Sequence, residues 1–319
     1  MLKLDSISKV YRVGTFGGQT LTAVRDVSFD IGPGEVVSLI GESGSGKSTI
    51  GKMILRLSGV TRGSISFDGT DIATLSGRKK LKEYYRHVQG VFQDPFSSYN
   101  PVFKADRVFE MVRKEYFPRL STGEWEKKLR SSLEVVRLDP NQVLNKYPHQ
   151  LSGGQLQRLL IARALLLDIK FLVADEVISM LDASTRIDVL NLLADLKARG
   201  LGILFITHDL ALGNYVSDRT VILRNGRIVE MGETEEVFAN PLHPYTTRLL
   251  SSVPQMHRKW AEVEAELQAQ APQGQSRCLY HDRYPSDGAT TDAPDGPPLA
   301  EVASGHFVGC FRVDEEGEC

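Results

Sequence analysis

A chain of 319 residues with 41% hydrophobic and 24% charged residues carries enough apolar material for one large core or two. Its formal net charge of -2 leaves no broad basic field to draw it onto nucleic acid, so no nucleic-acid partner is expected. The start, Met1-Leu2-Lys3-Leu4-Asp5, lacks a secretory pattern, and the longest apolar run, Leu159 to Leu167, is broken by Arg163 and ends at Asp168, far below the roughly 20 residues that cross a bilayer.

From Met1 to about Pro241, short apolar runs alternate with amphipathic stretches, the pattern of parallel strands covered by helices. The run Val36–Ile40 predicts a strand and leads into Gly41-Glu42-Ser43-Gly44-Ser45-Gly46-Lys47-Ser48, with a helix predicted over Thr49 to Leu57. This is a complete phosphate-loop pattern in its proper setting, after a strand and before a helix. The glycines let the backbone curl so that successive N–H groups and the helix N-terminus face phosphates. Lys47 would reach the β- and γ-phosphates, and the Ser48 hydroxyl would ligate Mg²⁺.

Further along, Leu151-Ser152-Gly153-Gly154-Gln155 precedes a helix predicted from about Leu156 to Leu167, with Ser152 as its N-cap. A glycine pair at a helix start offers N–H groups to an anion, a second phosphate-binding device. A strand predicted at Phe171–Asp175 ends in Asp175-Glu176, so two carboxylates leave an apolar sheet at the edge where ligands bind in open α/β folds. The first suits a Mg²⁺ contact and the second can orient and deprotonate a water.

Between Thr185 and Gly200 the apolar Ile187, Leu190, Leu193 and Leu196 recur at helical spacing and read as core packing. A third strand, Ile203–Thr207, ends beside His208. Val221-Ile222-Leu223, Asn225-Gly226 and Ile228-Val229 then predict a hairpin, because Asn-Gly supplies the positive φ angles of a tight turn. Beyond Pro241 periodicity fades, and Pro, Gly, Asp and Ala accumulate from Ala271 to Pro298, which marks a separate, partly loop-like extension. The cysteines Cys278, Cys310 and Cys319 all fall there, an odd number that argues against a disulfide framework.

Phosphate loop, Leu-Ser-Gly-Gly-Gln and Asp-Glu, in this order and at this separation, resemble the nucleotide-binding subunits of ABC transporters. The resemblance implies a P-loop NTPase α/β fold of the ABC type over residues 1–240, with a mixed sheet core, a helical subdomain at about 94–165 carrying the signature loop, and a C-terminal extension at 241–319. It implies that Tyr11 stacks on adenine and that Gly41, Ser43, Gly44, Gly46, Lys47, Ser48 and Thr49 hold the phosphates of ATP. Ser48, Gln93 and Asp175 would serve Mg²⁺, while Glu176, His208 and Gln93 would act in hydrolysis. Ser152, Gly153, Gly154 and Gln155 would bind the nucleotide held by an opposite subunit, and Asp182, in Ser179-Met180-Leu181-Asp182, would cross the dimer interface.

Val91-Phe92-Gln93-Asp94-Pro95-Phe96-Ser97-Ser98-Tyr99-Asn100-Pro101, Tyr147-Pro148-His149-Gln150 and Pro241-Leu242-His243-Pro244-Tyr245-Thr246 are similar to segments of oligopeptide and dipeptide importer ATPases. That likeness implies a second ATPase subunit, the same or related, two transmembrane permease subunits, an extracellular solute-binding protein and a place on the cytoplasmic face of the membrane. The chain departs from the pattern twice. Val177-Ile178 stands where the family has Pro and then Thr or Ser, and only Cys278 and Cys310 match the four cysteines with which relatives bind an iron–sulfur cluster, so a cluster-free extension is expected. Three rival readings are the less active half of a heterodimeric ATPase pair, which Val177-Ile178 could mark, a soluble ABC ATPase outside transport, and a binding-only regulatory module.

Overall fold

A computed structural model describes residues 1–13, 18–251 and 299–309, so Cys278, Cys310 and Cys319 lie outside the described residues. The chain runs β1 (Leu2–Val13), β2 (Gln19–Ile31) and β3 (Val36–Ile40) into α1 (Lys47–Ile54), then β4 (Arg62–Phe67), β5 (Thr70–Asp71), α2 (Arg78–His87) and β6 (Val88–Val91). Helices α3 (Arg107–Tyr116), α4 (Thr122–Val135), α5 (Pro140–Val143) and α6 (Gly153–Leu165) precede β7 (Phe171–Asp175), α7 (Ala183–Ala198), β8 (Gly202–Thr207) and α8 (Leu210–Val216). Then come β9 (Arg219–Arg224), β10 (Arg227–Glu233), α9 (Thr234–Ala239), α10 (Pro244–Ser251), β11 (Ala300–Ala303) and β12 (His306–Val308). Two compact units divide these elements, one of Met1–Ile7, Ser28–Val36 and Ser48–Ile206, the other of Ser8–Val27, Val37–Lys47 and Thr207 onward.

In the first unit, β6, β7 and β8 lie side by side in parallel, with Val88 opposite Phe171 and Phe171 opposite Gly202. All of β7 and β8 is buried, as expected of apolar runs covered on both faces. The predicted strand at Phe171–Asp175 is β7 residue for residue, and the one at Ile203–Thr207 gains only Gly202. Helix α6 begins at Gly153, earlier than the expected Leu156, because Ser152 and Gln155 form a capping box. It buries Leu156, Leu159, Leu160 and Ile161 and packs on α3, α4 and α7.

One expected core residue is not in the core. Leu190, Leu193 and Leu196 of α7 are buried, but Ile187 is 45% exposed. A strict spacing of three turns the helix face by about 60° per step, so the first member of such a series ends opposite the last. Val189 and Leu192 take the inward positions instead.

In the second unit β3 pairs in parallel with β9, and β9, β10, β12 and β11 continue in antiparallel pairs, giving the mixed sheet. The expected hairpin is β9–β10, with Asn225 at φ 47° and Gly226 at φ 81°. Ile40, Leu210, Ile222, Val229, Val237 and Tyr245 form its core. A chain of buried hydroxyls, Ser38 to Thr220 at 2.8 Å and Thr220 to Thr234 at 2.9 Å, satisfies the polar groups that β3, β9 and α9 bring into this region.

Glu230 of β10 is fully buried and ties three segments together. Its carboxylate accepts N–H bonds from Leu242 at 2.9 Å and His243 at 3.0 Å, and pairs with His306 Nε2 of β12 at 2.8 Å. His243 Nδ1 in turn accepts the N–H of Tyr245 at 3.0 Å, which sets the start of α10. Glu230→Ala strands these donors in a dry interior and is expected to destabilise the fold by about 3 kcal/mol, visible as a lower urea midpoint. A midpoint equal to the wild type would remove the carboxylate from this role.

Candidate functional site

Gly41 to Lys47 of the phosphate loop lie in the second unit and follow β3. Gly46 has φ 105°, and a Cβ there would strike the carbonyl oxygen of Ala23, so glycine is required by both backbone and space. Lys47 is buried, and its Nζ donates to the carbonyls of Gly41 at 2.6 Å and Glu42 at 2.8 Å. The ammonium thus sits inside the curl, where an anion would meet it. Ser45 Oγ is buried with no hydrogen-bond partner among the described residues, a polar atom left for a ligand to satisfy. Ser43 and Gly44 are exposed at the loop's rim.

The turn of the β9–β10 hairpin supports this loop. Gly226 N–H donates to the Ser45 carbonyl at 2.9 Å, and Arg25 N–H donates to the Gly226 carbonyl at 2.8 Å. In the same unit His208 is exposed just past β8, beside Asp209, whose carboxylate caps α8 through the Leu212 N–H at 3.3 Å. Tyr11 is half-buried with the Lys9 ammonium 4.9 Å from its ring centroid.

In the first unit Ser48 Oγ donates to Asp175 Oδ1 at 3.1 Å, so the hydroxyl at the start of α1 and the carboxylate at the end of β7 are brought together. Asp175 is buried, and Thr49 is half-buried one residue on. A hydroxyl and a carboxylate at this separation are hard oxygen donors that fit Mg²⁺, which takes few protein ligands and keeps waters or phosphates for the rest. Glu176 follows with φ 49°, its N–H on the Ile206 carbonyl at 2.9 Å and its carbonyl accepting Ser179 N–H and Oγ at 3.2 and 3.0 Å. Val177 and Ile178 are both 2% exposed, so the departure from the family pattern anchors this turn in the apolar interior.

Ser152, Gly153, Gly154 and Gln155 form the start of α6, with Ser152 exposed. A Cβ on Gly154 would strike Thr185 Cγ2, so glycine lets α6 approach α7 closely. Asp182 caps α7, accepting from Ser184 Oγ at 2.6 Å, Thr185 N at 3.0 Å and Thr185 Oγ1 at 2.8 Å. These bonds hold its carboxyl well below the usual range, so the cap is intact at neutral pH and is lost only as pH falls through that depressed value. Arg186 reaches back to the carbonyls of Leu181 at 2.8 Å and Ser179 at 3.4 Å and fixes the intervening loop.

Gln93 is exposed in the loop after β6, and that loop is stitched to α6 by residues the sequence did not single out for this task. Gln157 Nε2 donates to the Phe92 carbonyl at 3.3 Å, Arg163 Nη2 to the Gly90 carbonyl at 3.1 Å, and Tyr99 Oη to the Leu156 carbonyl at 3.2 Å. The signature helix therefore holds both flanks of Gln93. Arg163 breaks an apolar run, and that was the one signal available in the sequence.

The family described as "ABC transporter" matches residues 24–179, and the one described as "Oligopeptide/dipeptide transporter, C-terminal region" matches residues 229–289. A putative peptide import ATP-binding protein of Brucella ovis is 42% identical over 322 residues, covering 98% of each chain. The oligopeptide transport ATP-binding protein OppF of Bacillus subtilis is 40% identical over 299 residues, covering 92% of each. Among solved structures, a dimeric post-hydrolysis ATP-binding cassette bound to ADP and Pi is 30% identical with a TM-score of 0.66, over 73% of this chain and 99% of the other. CbiO1 of Clostridium perfringens, part of an ABC transporter complex, is 25% identical with a TM-score of 0.63, over 75% and 90%.

Proposed function

The chain belongs to the ABC transporter family, in its oligopeptide/dipeptide branch, and on that premise we propose that it is the ATP-binding and ATP-hydrolysing subunit that powers a peptide importer. It is an ATPase that works with a partner ATPase and with membrane permeases, through which it is membrane-associated; no helix among the described residues is long and apolar enough to cross a membrane itself. Residues 1–240 serve as the nucleotide-binding domain and 241–319 as the extension, on the cytoplasmic face, with an extracellular solute-binding protein delivering the cargo.

The observation that carries the reading is the buried Lys47 ammonium held on the Gly41 and Glu42 carbonyls inside a glycine curl. A triphosphate would give that cation strongly charged acceptors, and Gly41, Ser43, Gly44, Gly46, Ser48 and Thr49 would offer N–H groups to its oxygens. Ser48 and Asp175, with Gln93, would hold Mg²⁺, which when bound neutralises phosphate charge. Glu176 accepts a proton from the attacking water, His208 steadies the γ-phosphate, and Tyr11 stacks on adenine. Ser152 to Gln155 complete the partner's nucleotide site, and Asp182 lies across the shared interface.

The test is purification from membranes, with identification of the co-purifying subunits and of bound solute, followed by phosphate release from ATP. Permease subunits should co-purify, and EDTA in excess of Mg²⁺ should lower turnover by about 10²-fold or more. A chain recovered without permeases, or one that turns over equally in EDTA, contradicts the proposal.

A further inference from the structure

The extension's His-Pro-Tyr segment reaches the phosphate loop. Tyr245 is 5% exposed, and its hydroxyl accepts the N–H of Glu42 at 3.2 Å, across 203 residues of chain. That N–H belongs to the same peptide group as the Gly41 carbonyl, which accepts from Lys47 Nζ at 2.6 Å on its other side. One peptide plane of the loop is therefore gripped from both ends, by the lysine and by the tyrosine.

We infer that Tyr245 is a positioning residue for the nucleotide site, which sets the orientation of the Gly41–Glu42 peptide and thereby the resting place of Lys47. The inference rests on the ATP-site reading above and deepens it. The tyrosine is itself held rigidly. Arg224 lies 4.9 Å from its ring centroid, His243 Nδ1 takes its backbone N–H, and Glu230 takes the backbone of Leu242 and His243 together with His306 of the final described strand. Burial raises the phenol's pKa, so the hydroxyl stays neutral across the physiological range. Through these bonds residues 241–251 and 299–309 bear on a loop peptide next to the phosphates, so the extension is part of the ATP site's support rather than an appendage.

Tyr245→Phe removes one oxygen and keeps the ring and the Arg224 contact. A peptide freed to rotate weakens binding in ground and transition states alike, so in the purified importer complex the KM for ATP is expected to rise about fivefold, with kcat changed by less than about twofold. Unchanged KM overturns the inference, whether or not the melting temperature falls, since a structural contact alone would move only the latter. Lys47→Ala, run beside it, separates the two claims: loss of ATP binding there with no effect of Tyr245→Phe sinks only the role of Tyr245, whereas retained ATP binding in Lys47→Ala sinks the site reading itself.

Discussion

Replacing Glu176 by Gln is expected to leave ATP binding at wild-type strength and to lower hydrolysis by about 10²- to 10³-fold. The backbone around Glu176 is fully fixed: its N–H bonds the Ile206 carbonyl, and its own carbonyl takes both the N–H and the hydroxyl of Ser179. Holding a non-glycine residue at φ 49° costs about 1 kcal/mol, which the buried Val177 and Ile178 beside it offset through packing. A proline at 177 would steer the preceding residue toward extended backbone, so the valine is compatible with the turn seen here. Glutamine has the shape to keep this arrangement and to hold a water, but it cannot take a proton. Equilibrium nucleotide binding and phosphate release should therefore part company in this variant. Turnover within a factor of about two of the wild type would transfer the base to another group.

What could be read from the chain alone was whatever depends on neighbours in sequence. The phosphate loop, the β7 strand with its acidic end and the Asn225-Gly226 turn are each local: a backbone conformation, an apolar run or a pair of positive φ angles announces them. The contacts that hold the site in place are not local. Gly226 reads as a turn residue, yet its N–H also supports the Ser45 carbonyl; Tyr245 reads as part of an extension, yet its hydroxyl meets Glu42. Gln157 and Arg163 look like polar interruptions of an apolar helix until the Phe92 and Gly90 carbonyls are placed beside them. The Ile187 error has the same origin in reverse, since spacing by three looks periodic over one turn and fails over three.

Lys47→Ala is expected to weaken ATP binding by about 10²-fold or more, since hydrogen bonds from a charged donor are each worth about 1.5–3 kcal/mol and Lys47 can offer several to a triphosphate. The side chain is 5% exposed, so the charge is already stripped of most of its water before nucleotide arrives. Its Nζ donates to the Gly41 and Glu42 carbonyls, which are neutral dipoles, and phosphate oxygens would offer these N–H groups charged acceptors, whose hydrogen bonds are roughly twice as strong. Without the ammonium those carbonyls still line the curl and would face the phosphates with like partial charge, so the loss exceeds that of one missing contact. Lys47→Arg separates charge from shape. A planar guanidinium keeps the charge but cannot point as a single compact donor at the two carbonyls, so it is expected to bind ATP almost as poorly as the alanine variant. If Lys47→Arg instead restores wild-type affinity, the loop supplies only a positive potential, and the close fit of the ammonium to Gly41 and Glu42 is not what the site uses.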